Sequence, residues 1–290
     1  MDRAVTVSSD SKLKGISRVI ILELLFVCDG RSKGWLRAMV DYPLLVSVVS
    51  FGTLLLAAWI GDSLRRRSKR AEEINRDDAG VVLGGTLTLL GLIIGFSFAM
   101  ATNRYDLRKD SEKTEANAIA VLYMRADLLP PPDAAKIHEL LKGYLDDRIA
   151  FYSTRSRDEL TRISSNAAEK QNDLWTTVQT LVAPLPPQLE GLFVSGTNDI
   201  VVSRLSTEAV WANRIPRAAW VLIIITSLGC NFLIGFRARR TDWLVYLIMP
   251  IAVSISLFLI ADLDSPRGGG IRVKPINLVN LSQSLGTSVK

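Results

Sequence analysis

The sequence predicts an all-α, polytopic membrane protein with four transmembrane helices and a helical extramembrane bundle inserted between the second and third of them. The first observation is that 48% of the 290 residues are apolar and that these residues are clustered rather than spread. The second is that the clusters form windows of about 20 residues with few charges, which is the length that a helix needs to cross a bilayer. The third is a long polar segment between the second and third windows that has helical periodicity and is interrupted by proline-rich breaks.

The four apolar windows are residues 42–61, 81–102, 216–236 and 243–261. The last window contains Pro250, which a spanning helix tolerates as a kink when neighbouring groups satisfy the freed carbonyl. These windows divide the chain into five parts. They are an N-terminal extension (1–38), spans 1 and 2 (39–102), the bundle (103–215), spans 3 and 4 (216–262) and a C-terminal tail (263–290).

The N-terminal extension contains one apolar run, "VIILELLFV", which is too short to span and includes Glu23. An interfacial helix is one interpretation. The other is that the native chain starts at Met39. Cleavage before Cys28 is disfavoured because Val27 is not a small residue.

The second span should continue directly into the bundle, because no glycine or proline occurs between Gly95 and Pro130. An unbroken helix over 81–129 would be about 70 Å long, and we expect it to make the span and the bundle one mechanical unit. The next helix is expected to open at Asp133, a good N-cap residue. A third helix is predicted over 156–182 and a weaker fourth over 187–213, where glycines interrupt the pattern.

The charge pattern points to a membrane surface rather than to nucleic acid. The net charge is +6, but the basic runs "RRRSKR" and "RARR" flank predicted spans, where Lys and Arg set orientation and meet lipid headgroups. The lipid bilayer is therefore the expected partner, in a multi-pass protein of the cell (inner) membrane.

The residues that usually carry chemistry are sparse. His138 is the only histidine and is expected on the solvated surface. Cys28 and Cys230 are expected to be inert, and no Cys or His cluster has metal-ligand spacing. The acidic pairs Glu112/Glu115 and Asp146/Asp147 are interpreted as solvated faces. We therefore expect no cofactor, no metal and no enzymatic activity.

The second span offers two candidate functional faces, and no span carries a charged residue at its centre, which disfavours proton-coupled transport. One face consists of small residues that favour close helix packing or form an alternative pore lining: Gly91, Gly95 and Ala99. The other face is bulky and could form a dewetting gate in an oligomer: Ile93, Phe96 and Met100. Contact with lipid is the alternative interpretation of the bulky face.

Three stretches, "EINRDDAG", "EANAIAVLYMRADLLP" and "LIADLDSPRGGGIRV", resemble a bacterial membrane family of unknown function known as bestrophin-like. The resemblance covers roughly residues 40–285, with spans and bundle in the same order. The residues that carry it are Glu115, Asn117, Arg125, Asp262, Asp264, Pro266 and Gly268.

Bestrophin ion channels are a more distant comparison. The resemblance implies a homo-oligomer, a pentamer, in which the second span lines a neck and Arg104 and Arg108 lie at the pore mouth. The alignment places the small face where those channels have bulky apolar residues, and Arg267 where they usually carry phenylalanine. Calcium control is not implied, because the run of acidic ligands after Asp264 is absent.

Two functions are therefore expected. The first is an oligomeric channel for inorganic ions. The second is a non-conducting, membrane-anchored helical scaffold or envelope sensor that binds a partner protein. Orientation stays open, because the positive-inside rule places the bundle outside the cell, whereas the bestrophin resemblance places it in the cytoplasm.

Overall fold

A computed structural model describes residues 42–67, 76–237 and 243–286. The expectations for the N-terminal extension and Cys28 lie outside these residues. Every regular element in the described part of the chain is an α-helix. The helices are α1 (Pro43–Arg67), α2 (Arg76–Ala126), α3 (Pro131–Ser153), α4 (Arg157–Val182), α5 (Pro187–Ala212), α6 (Arg217–Arg237), α7 (Trp243–Asp264) and α8 (Ile276–Ser284).

Within the described ranges, four helices are long and apolar enough to cross a membrane, which confirms the predicted all-α fold with four spans. They are α1, the first part of α2, α6 and α7. Pro250 lies inside α7 without ending it. Helix α2 runs for 51 residues without a break and is therefore about 75 Å long.

The described residues within 1–100 and 215–265 form the first of two compact units, called here the membrane unit. Within it, α1 and α6 approach each other at Gly61 and Gly235. A Cβ atom on Gly235 would collide with the carbonyl oxygen of Ala58, and one on Gly61 would collide with the carbonyl oxygen of Phe232. Small residues at a helix crossing let two backbones come into contact where lipid provides no hydrophobic drive for association.

Residues 101–214 and 266–286 form the second unit, called here the bundle unit. In it α3 packs against α4, α4 against α5, and α8 against α3. The apolar stripes of these helices meet in one core, as their helical periodicity predicts. Fully buried members of the core include Ile119, Ile137, Leu174, Ile200 and Leu278.

The start of α3 and the continuity of α5 differ from expectation. Helix α3 begins at Pro131, with Pro130 at the cap position and no side-chain cap, because proline fits the first turn of a helix. Asp133 lies in that first turn instead of capping it. Helix α5 is continuous through Gly191 and Gly196, the two glycines that were expected to interrupt it. At Gly196 a Cβ would lie 2.9 Å from Arg125 Nη1 and 3.0 Å from Leu122 Cδ1, so this glycine allows close packing on α2.

The C-terminal tail contains a helix that the sequence analysis did not identify. Helix α8 is only nine residues long, and Leu278 is its fully buried anchor. A helix this short has little stability of its own and depends on tertiary packing.

Candidate functional site

The membrane part of α2 has one open face, formed by its small residues. A Cβ atom added at Gly91 or Gly95 would meet no other atom within 4 Å, and Ala99 is exposed. Phe96 flanks this face and is 62% exposed. In a single protomer this side of α2 is therefore available to lipid, to another subunit or to a pore.

The opposite side of α2 packs inside its own protomer. Ile93 is 9% exposed and Ser97 is 1% exposed, whereas Met100 is half-buried. The three bulky residues predicted as one face thus have three different environments. Packing against other spans, rather than helical periodicity alone, separates Ile93 from Phe96.

The two arginines predicted at the pore mouth also differ. Arg104 is half-buried. Arg108 is 1% exposed, and its Nη2 donates to the carbonyl oxygen of Asn213 at 3.4 Å. Its guanidinium therefore faces the interior of the bundle unit.

A buried ion pair occupies the centre of the bundle unit. Glu115 on α2 and Arg148 on α3 are both fully buried, and the Arg148 Nε lies 2.5 Å from Glu115 Oε1. Glu115 Oε2 also accepts hydrogen bonds from Arg148 Nη2 at 3.3 Å, from the Tyr152 hydroxyl at 3.1 Å and from the Thr207 hydroxyl at 3.5 Å. These bonds join α2, α3 and α5.

Burial raises the pKa of Glu115 above its ordinary value, because a carboxylate loses its hydration inside the bundle, while the charge and hydrogen bonds of Arg148 oppose that rise. A pair of this kind needs all of its hydrogen bonds to offset the cost of desolvation. Tyr152 and Thr207 supply two of them, both to Oε2 of Glu115.

A second buried carboxylate, Glu112, lies one turn earlier on α2. Its Oε1 accepts from the backbone N–H of Leu278 at 2.9 Å, and its Oε2 accepts from Asn277 Nδ2 at 2.5 Å. Glu112 therefore caps the N-terminus of α8, where the helix leaves backbone N–H groups without intrahelical partners. The prediction that Glu112 and Glu115 lie on a solvated face is wrong.

A third charged group holds the segment before α8. Arg267 Nη1 donates to the carbonyl oxygens of Phe151 and Thr154, both at 2.8 Å. Its guanidinium carbon lies 4.7 Å from the Phe151 ring centroid and 4.5 Å from that of Trp211. A cation at the C-terminal end of α3 also interacts favourably with the helix dipole.

The other motif residues are spread over both units. In the bundle unit, Asn117 and Arg125 line an open groove between α2 and α5, and Arg125 Nη1 donates to the carbonyl oxygen of Leu192 at 2.7 Å. Gly268 is exposed in the turn after Pro266.

In the membrane unit, Asp262 and Asp264 are buried at the end of α7. Asp264 Oδ1 accepts from the backbone N–H of Ile215 at 2.9 Å. Asp264 thus has a structural role at the start of the segment that leads into α6.

No group of three His, Cys, Asp or Glu residues in the described ranges is placed to hold a metal ion. His138 is not on the open surface as expected. Its ring stacks on Tyr123 at 3.8 Å, and its Nε2 lies 2.9 Å from the Tyr123 carbonyl oxygen. Cys230 is buried and forms no disulfide.

Sequence reasoning missed Glu112, Arg148 and Arg267 as structural residues. For Glu112 a signal was present, because it shares a helical face with Ala116 and Ile119, which are both buried. For Arg148 the neighbouring acidic pair at 146 and 147 suggested a charged surface instead.

Comparison with known proteins agrees with the observed fold. The family model of the Bestrophin-like domain matches residues 48–278. No curated protein matches the chain.

Among solved structures, a bacterial bestrophin homolog from Klebsiella pneumoniae superposes with a TM-score of 0.61 at 15% identity, over 83% of this chain and 99% of that one. A single-residue variant of that homolog gives a TM-score of 0.60 at 14% identity, over 82% of this chain and 98% of that one. At this identity the likeness establishes the fold. Because the family model covers most of the sequence, the chain belongs to the family of proteins with a Bestrophin-like domain.

Proposed function

We propose that this bestrophin-like membrane protein assembles as a homo-oligomer, a pentamer in the arrangement that its resemblance implies, and conducts inorganic ions through a pore lined by α2. The observation that carries the proposal is the open face of α2 at Gly91, Gly95 and Ala99. A single protomer with four spans cannot enclose a pore, so conduction requires several copies around an axis.

The packing of α2 limits which side can face that axis. Ile93 and Ser97 are buried against their own protomer, so the small face and the flanking Phe96 are the parts of this helix that remain available. We assign the pore lining to the small face and the narrowest apolar position to Phe96. A ring of phenylalanine side chains is an apolar constriction of the kind that gates some channels by dewetting.

Ion flux from liposomes that contain the purified protein tests this proposal. We expect Phe96→Ala to raise the flux, because it removes the largest apolar group beside the pore. Gly95→Leu should reduce the flux, because it adds bulk at the axis. Gly52→Leu is the matched control: it makes the same change on α1, at another glycine where an added Cβ would meet no atom within 4 Å.

Two outcomes would contradict the proposal. Equal flux in Gly95→Leu and Gly52→Leu would show that this face of α2 does not line the pore. No flux in any variant that is folded and inserted would favour the second candidate, a non-conducting membrane-anchored scaffold.

The open groove of the bundle unit favours that second candidate. It has a volume of about 570 Å³ and is lined by apolar residues that include Leu107, Val121 and Val202, together with Asp110 and Asp199. A monomer in detergent, measured by light scattering, would support the scaffold, whereas a stable oligomer would support the channel.

A further inference from the structure

Three aromatic rings meet inside the bundle unit, next to two guanidinium groups. Phe151 and Tyr152 on α3 and Trp211 on α5 pack edge to face, with ring centroids 5.3–5.4 Å apart. The guanidinium carbon of Arg148 lies 4.3 Å from the Phe151 centroid, and that of Arg267 lies against both Phe151 and Trp211. We call these five residues the aromatic–arginine cluster.

Three buried nitrogen atoms of this cluster form no hydrogen bond, and only one of them, Arg148 Nε, contacts a charged partner, Glu115. Arg148 directs Nε and Nη2 toward Glu115, which leaves Nη1 on the other edge of the guanidinium, buried and without a partner. Trp211 Nε1 is also buried without a partner. Arg148 is fully buried and Trp211 is 7% exposed. Buried donors in proteins are almost always paired, and an unpaired one calls for an occupant.

The cluster also has an excess of positive charge. Among the described residues, Glu115 is the only carboxylate that forms an ion pair with either guanidinium. Arg267 is bonded to backbone carbonyl groups, which are dipoles and not charges. Burial, together with the nearby charge of Arg148, lowers the pKa of Arg267 to about 10. One fully buried cation, Arg148, and one half-buried cation, Arg267, thus lie beside a single buried anion, Glu115.

We propose that the aromatic–arginine cluster binds one small inorganic anion of the size of chloride, which accepts hydrogen bonds from Arg148 Nη1 and Trp211 Nε1 and balances the charge of Arg267. The chemistry of the lining excludes a cation, because the free groups are donors. The edges of aromatic rings carry positive partial charge and are favourable neighbours for an anion. Two donors suit a monatomic ion better than phosphate, which needs more donors.

This site does not depend on ion conduction. It lies within the bundle unit and holds two parts of the chain together, because Arg267 precedes α8 whereas Arg148 and Trp211 belong to α3 and α5. The bound anion would therefore stabilise the bundle whether or not the protein is a channel.

The first experiment is thermal unfolding of the full-length protein in detergent, with sodium chloride replacing sodium gluconate at constant ionic strength. We expect the unfolding temperature to rise with chloride and to saturate, because a ligand that binds only the folded state stabilises it. Trp211→Phe keeps an aromatic ring and removes the donor, so we expect chloride to bind about tenfold more weakly or worse. Trp175→Phe on α4, a half-buried tryptophan of the same unit, is the control and should leave the chloride dependence unchanged.

The second measurement does not depend on a variant. Crystals of the wild-type protein grown with sodium bromide should give an anomalous peak beside Arg148 and Trp211. Absence of that peak would overturn the proposal. Water would then be the acceptor for Arg148 Nη1 and Trp211 Nε1. The same chloride dependence in Trp211→Phe as in the wild type would also overturn it.

Discussion

Glu115 and Arg148 form an ion pair in which neither side chain is exposed, and the pair joins α2 to α3. Oε2 of Glu115 also accepts hydrogen bonds from Tyr152 and Thr207. This relationship ties the extramembrane part of the longest helix to the helices around it.

Removing one partner should be far more costly than removing both. Glu115→Gln leaves Arg148 as an uncompensated buried charge, and we expect a loss of about 3–5 kcal/mol in the free energy of unfolding. The double variant with Arg148→Met should lose less than the sum of the two single variants, because it leaves no unpaired charge. Unfolding of the purified protein in detergent, followed by circular dichroism, measures these differences.

The control for this cycle is the pair of Lys170 and Asp147, which is partly exposed and has an N–O distance of 2.8 Å. Asp147→Asn should cost less than about 1 kcal/mol, since water screens such pairs. If Glu115→Gln were no more damaging than Asp147→Asn, the central role of the buried pair would be wrong.

The crossing of α1 and α6 should not tolerate even a methyl group. Gly235→Ala would place a Cβ against the backbone of Ala58, so the helices must separate, and overpacking of this kind costs about 1–3 kcal/mol. Gly229→Ala on the same helix is the control, because an added Cβ there meets nothing within 4 Å. Thermal unfolding midpoints of the two variants should differ clearly, and equal midpoints would count against the close crossing.

The cap that Glu112 provides should control local opening of α8. Glu112→Ala removes both acceptors at the start of that helix, and the loss of a cap is worth about 0.5–2 kcal/mol. We expect amide hydrogen exchange over 276–284 to become faster by a factor of about 2–30. Glu139→Ala, at an exposed position of α3, should leave that exchange unchanged. Unaltered protection of α8 in Glu112→Ala would contradict the role of the cap.

Arg104 is the arginine that remains a candidate for the mouth of the proposed pore. If it meets permeating ions, Arg104→Glu should shift the reversal potential toward cation preference, because it replaces a cation by an anion. Arg162→Glu makes the same charge change at an exposed position of α4 and should leave the potential unchanged. Equal reversal potentials in wild-type, Arg104→Glu and Arg162→Glu channels would exclude Arg104 from the ion path.

The sequence alone was sufficient to predict most of the helices, because two strong local signals mark them. Apolar windows identify the spans, and the prolines at 130–132 and 184–187 mark helix boundaries in the bundle. The N-cap of α3 was misplaced by three residues, at Asp133 instead of Pro130, because the first turn of a helix accepts proline.

Burial of Glu115 and Arg148 could not be predicted, because it depends on partners far away in the chain. Glu115 is buried only because Arg148, Tyr152 and Thr207 come from other helices. The helix at 276–284 was missed for the same reason, since its one strong anchor, Leu278, packs in a core that other helices form, and the helix it contacts, α3, lies more than a hundred positions earlier.

The position of Arg267 and α8 in the bundle unit has a consequence for biosynthesis. The ribosome completes residues 101–214 and then both remaining spans before the segment from 266 onward emerges. Until then the core position of Leu278 is empty and Glu112 lacks the N–H group that it caps. Maturation of the bundle must therefore follow synthesis of the last span, and a stop codon after residue 265 should leave a chain that contains all four spans but is prone to degradation.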